Sequence, residues 1–257
     1  MSARFSLTRI ASTAACSLIV ASCSGSIGAG SGGFDYECPE GASLVQVSLI
    51  DLSKGGLDEA LIGERLDSIQ VDAERTADCD GSLVVVSWAG SSASAEVLFD
   101  GPVPVAGATE IGKDRKIPGA VTKVMEEVRA NLNGAIETSG QQGGDLVGAF
   151  TVIADVVGRE GGDDRAVWVN VYTDGVSTSG DAPVNDPSLS QSDVDSLVAA
   201  QNMPGLEGVT IALRGIGRVA GSVQPPQDYI DLVQTYAMGL CEATGAACSV
   251  STSAVSS

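Results

Sequence analysis

Apolar and polar positions follow two rhythms along this chain. Continuous apolar, β-branched runs occur at 43–52 (SLVQVSLIDL), 82–90 (SLVVVSWAG), 165–175 (RAVWVNVYTDG) and 208–221 (GVTIALRGIGRVAG). Such runs, closed by glycine or acidic residues, predict strands buried on both faces. Between them the apolar positions take helical spacing. In 56–76 these are Leu57, Ala60, Leu61, Leu66 and Ile69. Helices are likewise predicted at 118–136 behind Pro118, at 144–158 behind a Gly-Gly pair, at 190–201 and at 225–245. Ser190 and Asp193 stand at capping-box spacing. A short run at 94–101 (SAEVLFDG) follows the second strand after a few small residues. So short a connection allows a hairpin and forbids a parallel crossover. The expected fold is therefore α/β: a doubly wound, mostly parallel sheet with helices on both faces and one antiparallel edge strand. No internal repeat and no second core is evident. The serine-rich end, 249–257, is expected to be a flexible tail.

Composition narrows the function. The chain has 257 residues, enough for one substantial domain plus appendages. Acidic residues number 33 against 14 basic ones, a net charge of -19. That argues against nucleic acid, which needs clustered Lys and Arg, and against electrostatic adhesion to anionic lipid. There is no histidine. Ser-His-Asp and Cys-His catalysis and His-based zinc sites are thereby excluded, and any metal must be held by oxygen or sulfur. Trp88 and Trp168 lie on predicted strands and read as core.

The first 22 residues are not expected to belong to the fold. Arg4 and Arg9 precede an apolar stretch, the pattern of a signal peptide, and the stretch is short for a membrane span. It ends in Val20, Ala21, Ser22 and Cys23, which resembles the lipobox of bacterial lipoproteins. The resemblance implies cleavage before Cys23, acylation (palmitate-type) of that cysteine, and anchoring at the extracytoplasmic face of a bacterial cell membrane. Residues 23–36, rich in Ser and Gly, would form a tether. The folded domain is expected over 37–248. With Cys23 acylated, Cys38, Cys79, Cys241 and Cys248 remain, an even number that suits two disulfides in an exported protein. Three pairings are possible. The preferred one joins Cys38 to Cys79, linking the starts of two strands, and Cys241 to Cys248, closing a short C-terminal loop.

Candidate chemistry lies where strands end, since ligands of open α/β sheets bind at the carboxyl ends of strands. The first strand ends in Asp51 with Ser53 following, and the 165–175 run ends in Asp174-Gly175. Both strands are expected to be central. Asp145 stands at the start of the helix behind Gly143 and Gly144. Capping of the following helices would also account for Asp51, Ser53 and Asp145.

In element order, and in these residues, the chain resembles a von Willebrand factor A-like domain over roughly 43–245. The resemblance implies a divalent cation, often magnesium, held by a D-x-S-x-S motif, a threonine and an aspartate, with a protein partner completing the coordination through a carboxylate. Asp51 and Ser53 match the first two positions of the motif and Asp174 matches the aspartate. Gly55 stands where the second serine would be, and Gly144 falls at or beside the threonine. Asp145 is a candidate substitute ligand. The expected function is a protein-binding module without catalytic residues. A metal-independent scaffold in envelope assembly is the alternative, and an Asp-dependent phosphohydrolase is disfavoured because Ser53 replaces the second acid such enzymes use.

Overall fold

The computed structural model describes residues 36–139, 142–180, 182–221 and 225–254. The leader at 1–22, Cys23 and all but the last residue of the tether lie outside them.

Six strands form one sheet in the order β3-β2-β1-β4-β5-β6. They are β1 (Ser43–Asp51), β2 (Ser82–Trp88), β3 (Glu96–Pro102), β4 (Arg165–Tyr172), β5 (Thr210–Arg214) and β6 (Ala247–Ser251). Only β3 runs antiparallel, beside β2, as the short connection required. The helices are α1 (Glu59–Asp78), α2 (Glu110–Asp114), α3 (Ile117–Ser139), α4 (Leu146–Glu160), α5 (Gln191–Ala199) and α6 (Gln227–Ala243). The five expected helices form within a few residues of their predicted limits; α2 is an addition. Ser190 and Asp193 make the predicted capping box at the start of α5.

Alternate positions of the central strands point into two cores, as the pleat demands. Val45, Val47, Leu49, Val169 and Val171 meet Phe150 and Ile153 of α4 and Val233 and Leu240 of α6. On the other face Ile50, Leu83, Val85 and Tyr172 meet Ile69 and Ala73 of α1 and Val124 and Val128 of α3.

That second face is polar at its centre. The buried stripe of α1 is Arg65, Ser68, Ile69, Asp72, Ala73, Thr76 and Ala77, in helical register. Of the apolar set expected to face inward, Ile69 is fully buried, Leu57, Leu61 and Leu66 are half-buried, and Ala60 is exposed. Asp72 has no exposure at all. It accepts hydrogen bonds from Ser48 Oγ of β1 (2.6 Å), and from Asn170 Nδ2 (2.6 Å) and Tyr172 Oη (2.7 Å) of β4. Burial pushes the Asp72 carboxyl up, opposed first by the Ser48 and Tyr172 bonds.

Both preferred disulfides form, Cys38–Cys79 and Cys241–Cys248. The second ties the end of α6 to β6, and this corrects the C-terminal expectation. Residues from 249 onward do not begin a tail: 247–251 add a parallel edge strand to β5, and the Ala254 carbonyl accepts from Ser68 Oγ (2.8 Å). Small residues and serines hid this strand, because its stability comes from pairing and from the disulfide more than from apolar burial.

Asp72→Ala leaves three buried donors unmatched and should lower stability by roughly 3 kcal/mol or more, moving Tm down by roughly 6–12 °C. Calorimetry of the purified protein checks this; a shift within 2 °C of wild type, taken roughly as a surface-mutation effect, would contradict it.

Candidate functional site

β1 and β4 are neighbours at the centre of the sheet, with Ile50 paired to Tyr172. Their ends therefore emerge side by side, and the residues that follow share one mouth. Asp51, Ser53 and Asp174 come together there, all at most 2% exposed. Asp51 Oδ1 accepts from the Ser53 amide (2.8 Å) and Oδ2 from Thr173 Oγ1 (2.7 Å). Asp174 Oδ1 accepts from the Val176 amide (2.8 Å). Ser53 Oγ and Asp174 Oδ2 take no hydrogen bond from the described residues. Both residues line a cleft of about 360 Å³, together with Gly55, Gly144 and Thr178.

The capping alternative fails for the first pair. Asp58 caps α1, accepting from the Ala60 and Leu61 amides (3.0 and 3.3 Å). It holds for Asp145, whose Oδ1 accepts from the Gly148 amide (3.0 Å) at the start of α4. Asp145, like Asp51, is not among the residues lining the cleft. Among the described residues no three acidic or cysteine side chains converge.

The two glycines that depart from the family pattern have physical reasons here. A Cβ at Gly55 would lie 2.7 Å from Asp174 Oδ2. The lost serine thus leaves space directly beside the free carboxylate oxygen. A Cβ at Gly144 would collide with the Val176 carbonyl and would sit 3.6 Å from Ser53 Oγ. The loop after β4 has closed over the place of the family's threonine. Its hydroxyls hold the approach to α4: Thr178 Oγ1 accepts from the Gly144 amide (2.9 Å), and Ser179 Oγ donates to the Gly144 carbonyl (2.9 Å).

Arg65 supplies the positive field that the sequence pattern did not reveal. Its buried guanidinium donates to the carbonyls of Asp51 and Gly56. A side chain at Gly56 would strike it. The signal lay in α1, where Arg65 and Asp72 stand two turns apart on one helical face, in step with Ile69 and Thr76. Arg65 does not fully balance the carboxylates. Burial, and then the Asp51 charge, push the Asp174 carboxyl from the ordinary 3.8 up to about 7, opposed by the Val176 amide and Arg65. A larger groove of about 680 Å³ between α5 and α6 contains none of these groups.

No protein-family model matches the chain, and no curated protein matches it. Among solved structures it is similar to the conserved hypothetical protein BatB from Bacteroides thetaiotaomicron, at 12% identity and a TM-score of 0.46, covering 84% of this chain and 92% of that one. It is also similar to a von Willebrand factor type A protein from Catenulispora acidiphila (15%, 0.39, 77% of this chain and 43% of that). A third is the vWF domain of the type V pili tip protein Mfa5 from Porphyromonas gingivalis (12%, 0.39, 81% and 90%). At such TM-scores these likenesses carry no argument about function, which rests on the site itself.

An acid whose pKa is raised on folding binds its proton more tightly in the native than in the unfolded state. Between pH 4 and pH 7 the folded chain therefore holds the extra proton at Asp174, and stability should fall as pH rises through that window and level off above it. In Asp174→Asn this part of the slope should vanish. Denaturant melts at half-unit pH intervals, without added cations, measure it; a slope unchanged by the substitution would contradict the assignment.

Proposed function

We propose that this chain is an anchored extracytoplasmic protein-binding module whose cleft works through a divalent cation held by Asp51, Ser53 and Asp174. One observation carries the reading: two buried carboxylates and a hydroxyl converge at the carboxyl ends of adjacent central strands, with two oxygens unpartnered and facing open space. The donors are all oxygen. A small hard cation such as Mg²⁺ suits that set, since it binds through one or two carboxylates and keeps several waters. When bound, it would offset the facing negative charges and present an open position to an acidic group of a partner.

The chain's own residues account for the rest of the arrangement. Thr173 and the Ser53 amide orient Asp51, and the Val176 amide orients Asp174. Arg65 holds the turn that carries Ser53 by gripping the carbonyls at its two ends. Gly55 keeps the approach to Asp174 Oδ2 clear. Acylation of Cys23, read from the leader, supplies the membrane attachment, and the partner is a protein.

In the mature chain, residues 23–257, millimolar Mg²⁺, Mn²⁺ or Ca²⁺ should raise Tm by several degrees, because a ligand that binds only the native state stabilises it by about 2.7 kcal/mol at one hundred times its Kd. Asp174→Asn should abolish that rise while leaving the chain folded. No shift with any of the three ions would remove the cation from the mechanism and leave a metal-independent scaffold.

The anchor is tested separately. Mass spectrometry of the chain produced in a bacterium with lipoprotein processing should find the amino-terminal residue to be Cys23 carrying acyl mass, and should lose that mass in Cys23→Ser. An unmodified Cys23 after cleavage would make the chain a secreted protein.

A further inference from the structure

Four of the chain's 14 basic residues stand close together in sequence, at 113–123. Lys113 lies on α2, Arg115 and Lys116 between α2 and α3, and Lys123 on α3, with Glu110 and Asp114 on α2 and Glu126 and Glu127 further along α3. Lys113 has a structural role, since its Nζ donates to the Asp78 carbonyl and pairs with Asp80. The other three are exposed and line a cavity of about 350 Å³ with Pro104, Val105 and Ala106, and no acidic side chain lines it. Lys116 Nζ donates to the Ala106 carbonyl (2.6 Å) at its rim. Arg115 and Lys123 have no carboxylate within ion-pair distance among the described residues. One helical turn before Arg115 stands Ile111, which is 66% exposed, more than any other large apolar side chain described.

The location adds a second, independent observation. Ser82, which starts β2, pairs with Pro102, which ends β3, and the Val103 amide donates to the Gly81 carbonyl. The cavity after Pro102 therefore lies at the amino ends of the parallel strands, opposite the Asp51–Asp174 cleft. The described chain begins at this same end. The Tyr36 amide donates to Asp78 (3.3 Å), the residue whose carbonyl Lys113 holds, and Cys38 is bonded to Cys79. The described chain thus begins beside this surface.

We propose that this surface faces the membrane, with the phosphate of an anionic phospholipid among Arg115, Lys116 and Lys123 and with Ile111 entering the interfacial layer. Fixed charges are screened over about 10 Å at 0.1 M salt, so a bilayer touching this end meets the local cations before the net charge of the chain. The orientation also turns the cleft outward. The proposal rests on the anchor reading only for its setting, and its test omits the anchor.

The test uses residues 23–257 with Cys23→Ser, which include every element of the fold, and vesicles of phosphatidylcholine with or without one-third phosphatidylglycerol. Cosedimentation should occur with the anionic vesicles at low salt and not with the neutral ones. Arg115→Glu with Lys123→Glu should weaken it roughly tenfold or more at unchanged Tm, and Ile111→Ser should weaken it at equal surface charge. Absence of binding to anionic vesicles would overturn the proposal, as would binding that survives the charge reversal. A rise in Tm with millimolar inorganic phosphate, without vesicle binding, would overturn it in favour of a soluble anion. Each outcome is independent of whether native Cys23 is acylated.

Discussion

A single carboxylate, sealed from water, holds the centre of this protein. Asp72 takes hydrogen bonds from Ser48 on one strand and from Asn170 and Tyr172 on its neighbour. A buried charge without such partners would cost several kcal/mol. The three donors are correctly placed only when β1 and β4 pair in the observed register and α1 lies across both. A slip of one residue would turn Ser48, Asn170 and Tyr172 to the opposite face and strand the acid. Asn170 carries the network outward, since its Oδ1 accepts from Arg214 Nε of β5 (2.9 Å). The register that places Asp51 beside Asp174 is thus enforced by polar complementarity as well as by apolar packing.

The cleft follows from that register and carries an opposite imbalance. Asp72 is surrounded by donors, whereas Asp51 and Asp174 face each other with one buried guanidinium nearby. Arg65 reaches them from the same helical face as Asp72, so the position of α1 sets both the balanced interior acid and the unbalanced pair at the mouth. The glycines at 55 and 144 are steric consequences of this closeness: one keeps space beside a carboxylate oxygen, and the other lets the loop after β4 fold over the start of α4.

The two ends of the sheet differ in chemistry. Oxygen donors collect at the carboxyl ends of the strands, and three exposed cations line a cavity near an exposed isoleucine at the amino ends, where the described chain begins. With β2 seven residues long and about 3.3 Å per residue, the two lie roughly 23 Å apart along the strands. Net charge hides this polarity, because it sums over a surface that any partner meets one part at a time.

Periodicity alone located five of the six strands, the five longest helices and the single antiparallel pair, because continuous β-branched runs and helical spacing report burial directly. It also brought out Asp51, Ser53 and Asp174, since acids that end central strands must meet at a shared mouth. It missed β6, whose small residues bury little and whose place comes from pairing and a disulfide. It set the inner face of α1 by its leucines. That face, along with Arg65, the Asp72 network and the cations at the amino ends, was decided only by the tertiary structure. Whether a charged side chain on a helix is solvated or buried depends on partners a hundred or more residues away, and no local pattern holds that information.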